Sequence, residues 1–255
     1  MPLSVAIITH NADRQLEACL KSASFADEII VVDSGSTDRT VELALRHGVK
    51  VVQQEWLGFG PQKQFAVGAA AHDWVLCLDA DERVSNALRE AIVTELRSPR
   101  AAVYAMARCN RFLDRWLRHG EGYPDWCVRL FDRRKARWSD DRVHEKVVTA
   151  FPVQRLSGDL LHESAETLDR YLDKQNHYTS LQAGQMHAEG RRGSAWHLTV
   201  APFARFIKFY ILRLGFLDGV PGLVHVCIGC INSFSKYAKL IALQRSAAHR
   251  KTLQK

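Results

Sequence analysis

Through the first hundred residues, short uninterrupted apolar runs alternate with longer stretches in which apolar residues recur every three or four positions. Leu3 to Ile8, Glu28 to Val32, Val49 to Val52 and Trp74 to Leu78 are Val/Ile/Leu runs of the kind buried on both faces of a parallel sheet, and they predict strands. Between them Ala12 to Ser22, Asp38 to Arg46, Gln62 to Ala71 and Ser85 to Leu96 carry helical spacing. The alternation predicts a doubly wound α/β domain, a mostly parallel sheet with helices on both faces and right-handed crossovers. From Ala101 to Ala150 the pattern changes to shorter strands with an Arg-rich stretch from Arg129 to Lys146. Leu168 to Met186 then reads as a helix, and Trp196 to Leu243 holds two long amphipathic segments. No internal repeat and no Gly-, Pro- or Ser-rich linker is present, so the expected division is a main domain over 1–190 with a helical appendage over 191–255 packed on it.

In open α/β sheets ligands bind at the carboxyl ends of the strands. The residues at those ends are Thr9-His10-Asn11 after the first strand, Asp33-Ser34-Gly35-Ser36-Thr37-Asp38 after the second and Asp79-Ala80-Asp81-Glu82 after the fourth. Acids and hydroxyls along one edge suit a metal and a sugar nucleotide. A strand ending in acid-x-acid projects two carboxylates that repel unless something positive lies between them, and hard oxygen ligands of this kind hold Mg²⁺ or Mn²⁺ on a ligand's phosphates. Plainer readings exist as well: Asn11, Ser36 or Thr37 as helix N-caps, Asp33 as a turn residue.

The three edges together resemble the family 2 glycosyltransferases with the GT-A fold. The match runs through Leu3-Ser-Val-Ala-Ile-Ile-Thr-His-Asn11, Ile30-Val-Val-Asp33-Ser-Gly-Ser-Thr-Asp38 and Leu78-Asp79-Ala-Asp81-Glu82, in that order. The resemblance implies a UDP-sugar donor, with Thr9 and Asn11 in the nucleotide pocket, Asp33 accepting from the base, Asp79 near the ribose and Asp81 on a divalent cation at the pyrophosphate. Lys63, in Gly58-Phe-Gly-Pro-Gln-Lys63, is similar to the family's basic residue near the nucleotide; the alternative is a solvated lysine at a helix start.

Further motifs resemble the branch containing lipopolysaccharide core β-glucosyltransferases. They are Tyr123-Pro-Asp125, Arg129-Leu-Phe131, Val143-His-Glu145, Leu161-His162, Tyr171-Leu-x-Lys174-x-Asn176-x-Tyr178 and Gly215-Phe-Leu-Asp218-Gly219. That branch implies transfer of a hexose, glucose from UDP-glucose, onto an inner-core heptose or a similar lipid-linked glycan. Inversion at an anomeric carbon requires a base within reach of the acceptor hydroxyl. Glu145 is the first choice, with Asp125 and Asp141 in reserve. His162 is favoured over His144 to complete the metal shell, against a structural imidazole for either. Arg129 is a candidate for a phosphate, because its guanidinium forks onto anionic oxygens. Arg133, Arg134, Lys135 and Arg137 read as an exposed hairpin rim.

Charge sharpens the division of the chain. Its 35 Lys and Arg against 28 Asp and Glu give +7, yet residues 1–190 hold 24 basic and 27 acidic residues and residues 191–255 hold 11 basic residues and the single acid Asp218. Trp196, Phe203, Phe209, Phe216, Phe234 and Tyr237 share that last section with Arg205, Lys208, Arg213, Lys236 and Lys239. Apolar and basic faces together predict binding in the plane of an anionic membrane surface. The alternatives are packing against the main domain or against a second copy in a homo-oligomer. No nucleic-acid-binding motif accompanies the basic residues.

The six cysteines read as buried small hydrophobes, and Cys227-Ile-Gly-Cys230 lacks the second pair a zinc site needs. No signal-like segment opens the chain, and the longest uncharged run, Gly219 to Ser235, is shorter than a membrane span. The expected location is therefore cytoplasmic, peripheral on the cytoplasmic face of the inner membrane. A sugar-phosphate nucleotidyltransferase would advertise a glycine-rich phosphate loop after the first strand, which Thr9-His10-Asn11-Ala12 is not. A non-catalytic membrane-surface assembly protein with a retained fold is the remaining alternative.

Overall fold

A computed structural model describes residues 1–141, 145–164 and 167–253, with side chains to 246. The chain divides into two compact units, Met1–Asn110 with Pro124–Ser164, and Arg111–Tyr123 with Ala165–Lys255. The second unit thus takes in α5 (Leu168–Ala188) and begins well before residue 191.

In the first unit the strands β1 (Leu3–Thr9), β2 (Glu28–Asp33), β3 (Lys50–Gln53) and β4 (Trp74–Asp79) form the parallel half of a sheet, in the order β3-β2-β1-β4. The sheet continues through β8 (Asp125–Asp132), β6 (Val103–Phe112), β11 (Val153–His162) and β5 (Glu82–Val84). Here the sheet turns mixed: β8 runs antiparallel to both β4 and β6, while β11 is parallel to β6 and antiparallel to β5. A smaller hairpin joins β9 (Ala136–Trp138) to β10 (Val147–Thr149).

Two apolar layers explain why the strands are hydrophobic on both faces. Along β1, Val5 and Ile7 pack with Leu16, Cys19 and Leu20 of α1 (Leu16–Ala23) and with Leu88 and Ile92 of α4 (Asn86–Arg97). The alternate residues Ala6 and Ile8 pack with Ala66 and Val67 of α3 (Phe59–Ala69) on the opposite side. Each fully buried aliphatic side chain contributes roughly 1.5–3 kcal/mol. The remaining helix of this unit, α2 (Thr40–Arg46), follows β2.

The second unit is helical apart from β7 (Arg115–Trp116), which folds back on Arg111 and Phe112. Helix α6 (Ala195–Phe206) contains Pro202 and runs into a widened turn over Ile207–Leu212. A short turn at Gly215–Asp218 leads to α7 (Gly219–Leu253), which packs on both α5 and α6. Residues 215–246 are long and apolar enough to cross a membrane by length and composition, with a third of the window buried. This is longer than the uncharged run Gly219 to Ser235, because the helix continues through Lys236 and Lys239.

Two of the cations expected to meet lipid are used inside this unit. Arg205 donates through Nε to Glu121 at 3.0 Å and pairs with it a second time through Nη2. The Lys239 ammonium lies 2.7–2.8 Å from the carbonyl and Oδ1 of Asn176 and from the hydroxyls of Thr179 and Ser180. Water, by contrast, reaches large apolar side chains: Trp196, Leu212 and Val220 are each at least 70% exposed.

Candidate active site

Register assembles the carboxyl edge of the first unit. Thr9 aligns with Asp33 and Ile8 with Asp79, so the acids that end β2 and β4 flank the end of β1. Asp33 is buried, and its carboxylate accepts from the Thr9 hydroxyl at 3.0 Å, from the Gly35 and Ser36 amides at 3.1 and 2.9 Å, and from the Ser36 hydroxyl. Burial opposes its charge, yet these donors outweigh it and hold the carboxyl below its ordinary value. Asn11 adopts a left-handed backbone, φ +50°, and binds the same loop: its amide donates to Ser36 Oγ at 2.8 Å and its Oδ1 accepts from the Thr37 amide at 2.8 Å. The Asn11 and Ser36 side chains therefore lock the β1 and β2 loops together; neither caps a helix.

Asp79 belongs to a charged group the sequence does not display. Lys63, on α3, is only 3% exposed; its ammonium lies 3.0 Å from Asp79 Oδ1 and 2.8 Å from Glu145 Oε1, and 4.9 Å from the centre of the Trp138 ring. The solvated-lysine reading therefore fails. From the other side Arg129 Nη2 donates to Asp79 Oδ2 at 2.8 Å and to Glu82 Oε1 at 2.7 Å. Glu82 is buried and also accepts from the Asp79 amide at 3.0 Å. Burial works against ionisation of Asp79, but Arg129 and Lys63 prevail and its carboxyl stays far below the usual range. Arg129 in turn is held charged: burial disfavours it, and Glu82 and Asp79 more than compensate. Its guanidinium lies beneath the acids, so Arg129 neutralises the strand end from inside the protein.

A second group lies on the neighbouring strands. β6, β11 and β5 bring Asn110, His162 and Glu82 into register. His162 Nε2 is 3.2 Å from Asp81 Oδ2, and its Nδ1 is 2.7 Å from Asn110 Oδ1. A proton on Nδ1 donated to Asn110 leaves the Nε2 lone pair directed at the Asp81 side, the arrangement in which an outer carbonyl orients a metal-binding imidazole. Among the described residues no group of three or more His, Cys, Asp or Glu is arranged to hold a metal ion. One carboxylate and one imidazole suit Mg²⁺ or Mn²⁺ where a bound ligand's own oxygens complete the shell. His144 lies outside the described residues.

The two reserve acids lie at the margin of this network: Arg108, which holds Asp125, also has Nη1 3.8 Å from Glu82 Oε1, and Asp141 lies against Gly60. Asp125, at the start of β8, is held by Arg108 through Nε at 3.0 Å and Nη2 at 2.7 Å. Asp141 is exposed and meets α3 through its carbonyl, which accepts from the Gly60 amide at 3.2 Å. In the Arg-rich hairpin Arg134 pairs with Asp132 and Asp73, and Arg133 caps the carbonyls of Val67 and Ala70.

The sequence model of glycosyl transferase family 2 matches residues 4–155. The chain belongs to that family. It is 31% identical over 254 residues to the lipopolysaccharide core biosynthesis glycosyltransferase LpsC of Rhizobium meliloti (strain 1021), spanning 94% of this chain and 92% of that one. An uncharacterized glycosyltransferase of Rickettsia typhi is 30% identical over 251 residues, covering 93% and 86%. Among solved structures, S. aureus TarS 1–349 in complex with UDP-GlcNAc aligns over 97% of this chain and 92% of its own, at 14% identity and a TM-score of 0.49. Glucosyl-3-phosphoglycerate synthase from Mycobacterium tuberculosis, solved with Mn²⁺, UDP and glucosyl-3-phosphoglycerate, covers 41% of this chain and 43% of its own at 26% identity and a TM-score of 0.37.

In this family 2 glycosyltransferase, sequence reasoning missed the parts played by Glu82, Asn110 and Trp138. Glu82 stands beside Asp81 and was visible as a third acid. Asn110 and Trp138 carry no local signal, since Asn110 reaches the edge by pairing of β6 with β11 and Trp138 by packing on α3 and β4, where it meets Gln64 and Cys77.

Proposed function

We propose that this family 2 glycosyltransferase is an inverting, cation-dependent enzyme. It moves a hexose, glucose from UDP-glucose, onto an inner-core heptose of lipopolysaccharide or a similar lipid-linked glycan. The observation that carries the reading is the single Lys63 ammonium bridging Asp79 and Glu145. It joins the acid that ends β4 to the acid suited to act as base. Glu145 Oε1 is occupied by Lys63, which leaves Oε2 to accept the proton of an acceptor hydroxyl. The deprotonated oxygen attacks the anomeric carbon as the bond to the diphosphate breaks.

Thr9, Asn11 and Asp33 bound the nucleotide side of the edge. Asp33 serves there with its backbone loop, since its carboxylate is already committed to four donors. Asp81 and His162 would hold a Mg²⁺ or Mn²⁺ ion, which supplies neutralisation of the charge on the departing diphosphate. Arg129 keeps Asp79 and Glu82 ionised and in place.

The lipid-linked acceptor is supported by the name of LpsC, whose function lies in lipopolysaccharide core biosynthesis. It is supported also by the exposed apolar residues around the turn between α6 and α7. Attachment is to the cytoplasmic face of the inner membrane through that turn, with Lys208, Arg213 and Lys236 as the cations left for lipid phosphates once Arg205 and Lys239 are committed internally. Incubation with a panel of UDP-sugars tests the reading. UDP released only in the presence of Mg²⁺ or Mn²⁺ and of a heptose-containing core acceptor upholds it, and absence of release from every UDP-sugar in the panel overturns it.

A further inference from the structure

Beyond the end of β3 the segment 54–59, which ends on the first residue of α3, carries an aromatic pair that folding does not explain. Trp56 and Phe59 are 47% and 45% exposed, and Leu57 between them is 36% exposed. The two rings meet edge to face, 4.9 Å apart at an interplanar angle of 88°. Three adjacent large apolar side chains in water forgo the stabilisation that burial of each would bring.

Their backbone is fixed. Gln62 is fully buried; its Oε1 accepts from the Leu57 amide at 3.3 Å, and its Nε2 donates to the Gln54 carbonyl at 3.3 Å and to Ser34 Oγ at 3.0 Å. Gly58 sits at φ +103°, a conformation that side chains disfavour. Gly60 is wedged against the segment that leads to Glu145. A Cβ there would lie 2.2 Å from the Ser139 carbonyl oxygen, 2.6 Å from that of Asp141 and 3.3 Å from Glu145 Cβ. Phe59 also stands one helical turn before Lys63, on the same side of α3, and the Lys63 ammonium binds Glu145. The helix start that carries the exposed Phe59 ring therefore abuts Glu145 through its next residue, Gly60, and binds it through Lys63.

We propose that Trp56 and Phe59 form a stacking platform for a pyranose ring of the acceptor glycan. The inference rests on the reading of Glu145 as the base, because the ring whose hydroxyl Glu145 deprotonates must lie beside it. A pyranose presents one face of C–H groups, which packs on an aromatic ring while its hydroxyls remain free to reach polar groups. Preformed geometry suits this use, since little ordering entropy is lost on binding.

The test uses the full chain and one soluble probe, the inner-core oligosaccharide obtained by deacylating lipopolysaccharide, with UDP-glucose as donor. Trp56→Ala and Phe59→Ala should each raise KM for the oligosaccharide about tenfold. UDP affinity and acceptor-free hydrolysis of UDP-glucose should stay unchanged, and Phe59→Tyr should behave as the unaltered protein. Calorimetric binding of the same oligosaccharide reads the platform without turnover. Weaker binding by the alanine variants upholds it, whereas equal binding, or no binding by the unaltered protein, overturns it. Weakened UDP affinity with KM intact would assign the rings to the nucleotide base. Loss of binding to phosphatidylglycerol vesicles, or a change of oligomeric state, with KM intact would assign them to lipid or a second copy; each of these overturns the proposal. Absence of transfer by the unaltered protein, with oligosaccharide binding present and ring-dependent, would count against the transfer reading alone.

Discussion

The Lys63 ammonium lies 2.8 Å from Glu145 Oε1 and 3.0 Å from Asp79 Oδ1, so one buried cation ties together two acids supplied by distant parts of the chain. Removing a buried partner leaves its counter-charges uncompensated. Arg129 still faces Asp79 in a Lys63→Met protein, but Glu145 loses its cation. The expected cost is about 3 kcal/mol in denaturant unfolding, together with loss of UDP release, whereas Lys50→Met at the exposed edge of β3 should change neither.

Acid stability should be dominated by carboxylates whose folded values are depressed. The hydrogen bonds from Arg100, with that of Tyr104 also contributing, bring Glu95 down to about 2 from its usual 4.5. A depressed carboxylate contributes stability that is complete above the unfolded value and is lost as pH falls toward the folded one. Asp79 adds to the same trend at lower pH. The melting temperature should therefore fall between about pH 4.5 and pH 2, and Glu95→Gln should flatten that slope while lowering stability at pH 7; a scan of melting temperature against pH measures both.

His162 Nε2 and Asp81 Oδ2 lie 3.2 Å apart, and the proposed cation would sit between them. Titration of UDP with and without Mn²⁺ should show metal-enhanced affinity in the unaltered protein. That enhancement should vanish in Asp81→Ala and fall in His162→Ala and, less so, in Asn110→Ala, which frees the imidazole to rotate. Metal-enhanced binding that survives Asp81→Ala would remove the metal assignment.

The second unit separates packing cations from exposed apolar surface. Leu212→Glu with Val220→Glu replaces two side chains that are more than 70% exposed and should weaken sedimentation with phosphatidylglycerol vesicles about tenfold. Lys239→Met should leave vesicle binding unchanged yet destabilise the fold by about 1–3 kcal/mol, because the Asn176, Thr179 and Ser180 oxygens lose their shared donor.

The first half of the fold is readable in the sequence because buried parallel strands are continuous apolar runs: all four expected strands occur, each within one residue of its expected ends. Helix α1 starts at Leu16, four residues later than its spacing suggested, since Asn11 turns with positive φ and residues 12–15 are taken up by that turn. Strand-end acids are legible because position on a sheet edge follows from strand order. Their partners are not: Glu145 reaches Lys63 across 82 residues, and Arg129 reaches Glu82 across 47. Composition likewise overstated the free charge of the C-terminal section, because a count of lysines and arginines does not tell which are committed to Glu121 or Asn176.

Replacement of Glu145 by Gln tests the central claim most directly, because it keeps the side chain's size and one acceptor oxygen while removing the base. Glu145→Gln should bind UDP as the unaltered protein does and release UDP onto a core acceptor at least about a hundredfold more slowly. Turnover within a few-fold of the unaltered enzyme would contradict the account and move the base to Asp125 or Asp141.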